Sequence, residues 1–69
     1  MLNKMTGTVK WFDMSKGYGY IEAGNGEEVF VHYQDIISNG LKTLLDGDRV
    51  EFAVRTKPSG PVALKVTRL

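Results

Sequence analysis

Lys16-Gly17-Tyr18-Gly19-Tyr20-Ile21, answered further along by Val29-Phe30-Val31-His32-Tyr33, decides how this 69-residue chain is read. Side chains alternate between the two faces of a strand, so in the first stretch Tyr18 and Tyr20 share one face and Gly19 and Ile21 the other. In the second stretch Phe30 and His32 fall on one face, and the β-branched Val29 and Val31 fall on the opposite, core-seeking face. The link between them, Ala23-Gly24-Asn25-Gly26-Glu27-Glu28, contains Asn-Gly, a hairpin signal because both residues tolerate positive φ. The two stretches are therefore expected to be antiparallel neighbours whose aromatic faces merge into one platform.

A contiguous set of exposed rings calls for something to cover it. Nucleobases match best, since each has a π-face and each stack contributes about 1–3 kcal/mol. Six of the seven aromatic residues lie between Trp11 and Tyr33, while valines and isoleucines are available for the core.

Composition sets the frame. A chain of this length holds one domain, expected over residues 1–69, and buries only about 60% of its unfolded surface. It has no cysteine, which removes disulfides, thiolate metal sites and cysteine nucleophiles and fits a reducing compartment. No apolar run reaches the length of a membrane span, and the opening Met1-Leu2-Asn3-Lys4-Met5 lacks the apolar segment of a signal peptide. The expectation is a soluble, cytoplasmic protein with no membrane partner. The net charge of +1 is unevenly distributed. Residues 1–20 carry three lysines against one aspartate; residues 21–54 carry two cations against seven acids; residues 55–69 add four cations. If the two basic ends meet beside the aromatic face, they form a local positive rim.

Taken in order, Thr6-Gly7-Thr8-Val9-Lys10-Trp11-Phe12-Asp13 reads as the first strand, closed by a turn at Asp13-Met14-Ser15-Lys16. Strict alternation sets Lys10 and Phe12 against Val9 and Trp11, so the pattern alone does not put Lys10, Trp11 and Phe12 on one surface; a bulge would reconcile them. Residues 34–45 read as a long loop with at most one 3₁₀ turn, because Asn39-Gly40 breaks any helix. Asp46-Gly47-Asp48 opens a fourth strand over residues 49–56 with Val50, Phe52 and Val54 inward. Lys57-Pro58-Ser59-Gly60-Pro61 reads as a loop that holds no ladder. The last strand spans residues 62–67, with Val62, Leu64 and Val66 on one side. Five short strands and no helix predict a small all-β barrel. Its expected core is Val9, Ile21, Val29, Val31, Val50, Phe52, Val54, Leu64 and Val66.

Gly7-Thr8-Val9-Lys10-Trp11-Phe12, then Lys16 to Ile21, then Val29 to Tyr33, resemble the opening strand and the two ribonucleoprotein motifs of the bacterial cold-shock proteins. The likeness continues through Gly47, Val50, Phe52, Gly60-Pro61, Ala63 and Val66, nearly the whole chain in order. It implies a five-stranded antiparallel oligonucleotide-binding barrel that takes single-stranded RNA and DNA with low sequence specificity, favouring pyrimidine-rich stretches. It also implies an ATP-independent RNA chaperone serving cold-shock or stress adaptation, with effects on transcription and translation. Trp11, Tyr18, Phe30, His32 and Tyr33 resemble the base-stacking positions, Phe12 and Tyr20 further members of the surface, and Lys10 and Lys16 its basic contacts. Leu41 stands at a distal position where an aromatic is common. Tyr18, Tyr20 and Tyr33 replace the commoner Phe, Asp13 replaces a frequent Asn, and Ser59 lies where some members carry a basic residue.

Three classes of function compete on the residues. One is single-strand binding, in which bases leave a duplex and restack on Trp11, Tyr18, Phe30 and His32. Another is a peptide-binding barrel that uses the same rings as a groove, against which Lys10 and Lys16 stand. The third, a small ribonuclease, needs a paired acid and base, and His32 is the single histidine with no carboxylate placed beside it by a motif. No catalytic residue, metal site or cofactor is expected: a metal would need more His or Cys ligands, and Gly17-Tyr18-Gly19 leads into a strand, not into the helix N-terminus of a phosphate loop. The chain is expected to be a monomer, with residues 34–45 long enough to permit a strand-exchanged dimer.

Overall fold

The alternation around Tyr18 and Phe30 does produce an antiparallel pair with its rings on one side. In the computed structural model, which describes residues 4–38 and 40–69, the strands are β1 Lys4–Asp13, β2 Tyr18–Ala23, β3 Glu28–His32, β4 Arg49–Lys57 and β5 Gly60–Arg68. Met1-Leu2-Asn3 and the Asn39 of the Asn39-Gly40 break lie outside the described residues. β2 and β3 pair as Tyr18 with His32, Gly19 with Val31, Tyr20 with Phe30 and Ile21 with Val29. The turn between them is closed by Gly26 N–H donating to the Ala23 carbonyl at 2.9 Å and Glu27 N–H donating to Asn25 Oδ1 at 3.0 Å. The asparagine thus holds the turn with its own side chain.

The strands close into a barrel in the order β1-β2-β3-β5-β4. A purely antiparallel barrel was the expectation, and the closed ring has one exception: β3 and β5 run parallel, meeting at Phe30 and Val62. The reason is arithmetic. Five is odd, so the strands of a closed ring cannot all alternate in direction, and one neighbouring pair must be parallel; here it is β3 and β5, which are not consecutive in the chain. Residues 34–45 make the connection that allows it, with one 3₁₀ turn at Tyr33–Asp35, so Tyr33 leaves the ladder instead of ending β3. The connection is anchored where Ile36 bridges to Val66 and the Ile37 N–H reaches the Val66 carbonyl at 2.8 Å.

The core holds Val9, Ile21, Val29, Val31, Val50, Phe52 and Val66 as expected, joined by Ala23, Ile36, Leu44 and Ala63. Val54 packs against it only partly buried. Leu64 departs from the expectation: it is half-buried, while Ala63 beside it is fully buried. The cause is a break in alternation. The β4–β5 register shifts between Glu51 and Ala53, where two residues of β5 oppose one of β4, and Lys65 adopts φ 52°. This bulge lets Ala63 and Val66, three apart in sequence, both face inward. The β4–β5 ladder also runs further than expected, through Thr56 with Pro61 and Lys57 with Gly60, leaving only Pro58 and Ser59 as the turn. Pro61 fits because it sits near the start of its strand, where a missing donor is tolerated.

β1 reaches β2 through a bulge as well: Val9 pairs with Ile21, Lys10 is skipped, and Trp11 pairs with Tyr20. Gly19 opposite Phe12 is obligatory, since a Cβ there would overlap the Trp11 carbonyl oxygen and lie 2.7 Å from the Phe12 Cα. Phe52 is the largest side chain closed off from solvent. Phe52→Ala is expected to lower stability by about 3–5 kcal/mol, read as a fall in the urea midpoint with little change in slope.

Candidate nucleic-acid interface

Four rings from three adjacent strands form a closed circuit on the outside of the barrel. Centroids stand 5.6 Å apart for Trp11 and Tyr20, 5.6 Å for Tyr20 and Phe30, 5.7 Å for Phe30 and Tyr18, and 6.0 Å for Tyr18 and Trp11. These separations suit attractive aromatic contacts. Interplanar angles run from 33° to 74°, so the rings brace one another by edges and tilts without consuming their faces. Trp11 is 40% exposed, and Tyr18, Tyr20 and Phe30 are half-buried. Behind them the inward row of the same strands is closed off, with Val29, Val31 and Ile21 at 0% exposure. The platform therefore rests on a packed core.

A second aromatic unit lies beside the first. His32 and Tyr33 are 4.5 Å apart, and the residue pairing of Tyr18 with His32 places the unit next to the circuit. His32 also caps the 3₁₀ turn: its Nδ1 accepts the Gln34 N–H at 3.2 Å. With Nδ1 an acceptor, the neutral imidazole carries its proton on Nε2. The ring is fixed by a local hydrogen bond.

The remaining residues predicted from sequence are placed as follows. Phe12 sits in the inward row opposite Gly19 and packs partly buried against the core, not in the ring circuit. Leu41 is 76% exposed on the long connection, next to Lys42, which lines a shallow hollow with Lys16, Ser15 and Tyr33. Lys10 points outward but is held by Glu28, Nζ to Oε2 at 2.6 Å. The hydrogen bond and charge of Glu28, with Glu22 more remote, raise the Lys10 pKa above its ordinary value.

The charged rim differs from the one expected of the chain ends. Lys4 pairs with Glu51 at 3.7 Å and Arg68 with Asp48 at 3.9 Å. Arg49 donates to Thr8 Oγ1 at 2.8 Å. Among the described residues, the cations that border the rings without an ion-pair partner are Lys16 and Lys42 by Tyr33, and Lys57 by Phe30 and His32. Sequence reading missed Lys42, embedded in the acid-rich middle, and Lys57. It also missed Gln34, Pro61 and Val62, which flank Phe30 and His32. Only the parallel β3–β5 contact brings the β5 residues there, and no local pattern announces it.

Asp13 is an organised charge. Its Oδ1 accepts from Ser15 Oγ at 2.6 Å, Ser15 N–H at 2.9 Å and Lys16 N–H at 3.1 Å. The Ser15 hydroxyl and the Lys16 amide, helped by the Lys16 charge, hold its pKa below the ordinary carboxylate value. The carboxylate thus shapes the turn that carries Lys16 into β2.

Among the described residues no three His, Asp or Glu side chains gather to hold a metal, and no helix is long and apolar enough to cross a membrane. Residues 5–69, which include all four rings of this outer face, match the family model of the 'Cold-shock' DNA-binding domain. The chain belongs to the cold-shock domain family. It is 51% identical over 70 aligned positions, which take in all of both chains, to the cold shock-like protein CspA of Vibrio cholerae. Over 64 residues it is 52% identical to the cold shock-like protein CspLB of Listeria monocytogenes, covering 93% of this chain and 97% of that one. Among solved structures, drosophila Unr CSD456 superposes with a TM-score of 0.79 at 21% identity, over 99% of this chain and 27% of that one. That likeness shows the fold. Cold-shock domains are non-enzymatic binders of single-stranded nucleic acid, and this chain is one of them.

The turn at Asp13 makes a pH-dependent contribution. A carboxyl whose folded pKa is depressed stabilises the fold fully above its unfolded value, and the contribution is lost as pH falls through the folded value. Between neutral pH and about pH 2, the urea midpoint of the wild type is expected to fall more than that of Asp13→Ala, the two curves converging at the acid end.

Proposed function

We propose that residues 1–69 act as one domain, a cytoplasmic, monomeric RNA chaperone that binds pyrimidine-rich single strands of RNA and DNA without ATP in cold-shock adaptation. The observation that carries this reading is the four-ring circuit of Trp11, Tyr18, Tyr20 and Phe30, held outward at 5.6–6.0 Å spacings. Bases stack on the circuit and on the His32–Tyr33 pair; Lys16, Lys42 and Lys57 take phosphates at its borders, and Leu41 offers an apolar contact at the far end. Free energy is released only when bases are unpaired, so the protein shifts a structured strand toward its open form by mass action. Pyrimidines are favoured because their runs stack least on themselves and give up least on transfer to the rings. The name of the Vibrio cholerae relative, a cold shock-like protein, supports the physiological part of the reading.

Trp11 is the single tryptophan, so its fluorescence reports the site. Titration with a short oligothymidine is expected to quench it saturably, and a duplex of equal length is expected to leave it unchanged. Absence of quenching by any single strand would move the rings to another partner class, a peptide first. Phe30→Ala is expected to weaken oligothymidine binding by about 1–3 kcal/mol with a small effect on stability. Val31→Ala is expected to do the reverse, through a void behind the platform.

The salt dependence tests the rim. With Lys10 tied to Glu28, few phosphates are neutralised and the wild-type slope is expected to be shallow. Glu28→Gln frees Lys10, and the slope of log K against log salt is expected to steepen by about 0.7, the increment for one further phosphate on a single strand.

A further inference from the structure

The circuit of rings is completed from β1, and β1 loses its second neighbour just before Trp11. Its ladder with β4 ends at Thr8 opposite Arg49. From there the turn Asp46-Gly47-Asp48 takes over the outer edge of the strand. The Val9 N–H donates to the Asp48 carbonyl at 2.8 Å, and the Gly47 N–H donates to the Val9 carbonyl at 2.8 Å. Beyond the bulge, the Phe12 N–H donates to Asp46 Oδ1 at 3.2 Å. A side chain here replaces a strand. The turn is itself fixed: Asp48 N–H donates to the Leu45 carbonyl at 3.0 Å, Leu45 N–H donates to Asp48 Oδ2 at 3.0 Å, and Gly47 takes φ 90°. That φ is what the third residue of a type II turn requires.

The backbone contacts of Val9 lie before the bulge and the carboxylate contact of Asp46 lies after it, so Lys10 and Trp11 are bracketed. Among the described residues the Phe12–Asp46 hydrogen bond is the one polar contact to that outer edge beyond the bulge, so it shares with the β2 ladder the placing of Trp11, the residue that leaves the bulge. We propose that Asp46 is a positioning residue for Trp11, its carboxylate oxygen setting the place of the indole in the binding platform through the Phe12 amide. The binding part of this proposal rests on the single-strand reading above.

Charge makes the test decisive. Removing an acid near a polyanion strengthens binding if charge alone matters, whereas losing the hydrogen bond weakens it, so the two effects have opposite signs. Asp46→Ala removes both charge and acceptor; Asp46→Asn removes the charge and keeps an acceptor oxygen. Oligothymidine affinity is measured under conditions where urea titration shows each variant fully folded, together with the emission maximum and anisotropy of Trp11 in the free protein. Asp46→Ala is expected to bind roughly 3–10-fold more weakly, the range for one lost hydrogen bond, with an altered indole signal. Asp46→Asn is expected to bind at least as tightly as wild type with the wild-type signal. Unchanged or tighter binding by Asp46→Ala overturns the proposal, and so does equal weakening in both variants. If the wild type itself fails to bind oligothymidine, the single-strand reading fails, and the free-protein signal alone decides the positioning: a change confined to the alanine variant supports it, and none overturns it.

Discussion

The contact between the backbone of β1 and the vacant side-chain position of Gly19 governs both the closure of the barrel and the shape of its outer face. β1 lies so close to β2 that any Cβ at residue 19 would overlap the Trp11 carbonyl oxygen. A side chain there would force the strands apart at the end where β1 bulges and the rings collect. The same approach sets Trp11 opposite Tyr20 and within 6.0 Å of Tyr18, completing a circuit that β2 and β3 alone leave open. Fold and platform share one constraint, so substitutions at this point cannot alter one without the other.

Electrostatics on this surface is arranged by subtraction. Lys10, beside Trp11, is neutralised by Glu28, and Lys4 and Arg68 are matched with acids elsewhere on the barrel. Among the described residues, the unpaired cations near the rings stand at the borders, Lys16 and Lys42 on one side and Lys57 on the other. A duplex offers phosphates but hides its base faces, so a weakly cationic platform has little to gain from it. In the proposed mode the scarcity of charge is itself a source of selectivity for unpaired strands.

What could be read from the sequence was what repeats locally. The faces of β2 and β3 follow from alternation over a few residues, and their turn follows from Asn25-Gly26, so the inner and outer rows were legible down to single residues. Alternation fails at an inserted residue, because a bulge leaves no mark on composition. Lys10 was resolved only as an inconsistency between Trp11 and Phe12, and Lys65 not at all, which is why Leu64 and Ala63 exchanged places. Phe12, counted with the surface, belongs to the inward row for the same reason. The remaining gaps are matters of distance along the chain. Glu28 meets Lys10 across 18 residues and Asp46 meets Phe12 across 34, contacts that exist only after the ring of strands closes.

The two aromatic units differ in how they are held, and this bears on how a strand would lie across them. The four-ring circuit belongs to three hydrogen-bonded strands over a closed core, so its spacing is set by the ladder. The His32–Tyr33 pair straddles the end of β3 and a 3₁₀ turn capped by the imidazole itself, and the next residues begin the long connection that carries Leu41 and Lys42. Both units are nonetheless tied to β2 or to the residue before it: His32 through its ladder pairing with Tyr18, and Tyr33 through its N–H, which donates to the Gly17 carbonyl at 2.8 Å. A strand crossing both would find its stacking positions set in advance along the whole platform. Such an arrangement discriminates by whether bases are available to stack and tolerates which bases they are, because ring faces impose no donor–acceptor code.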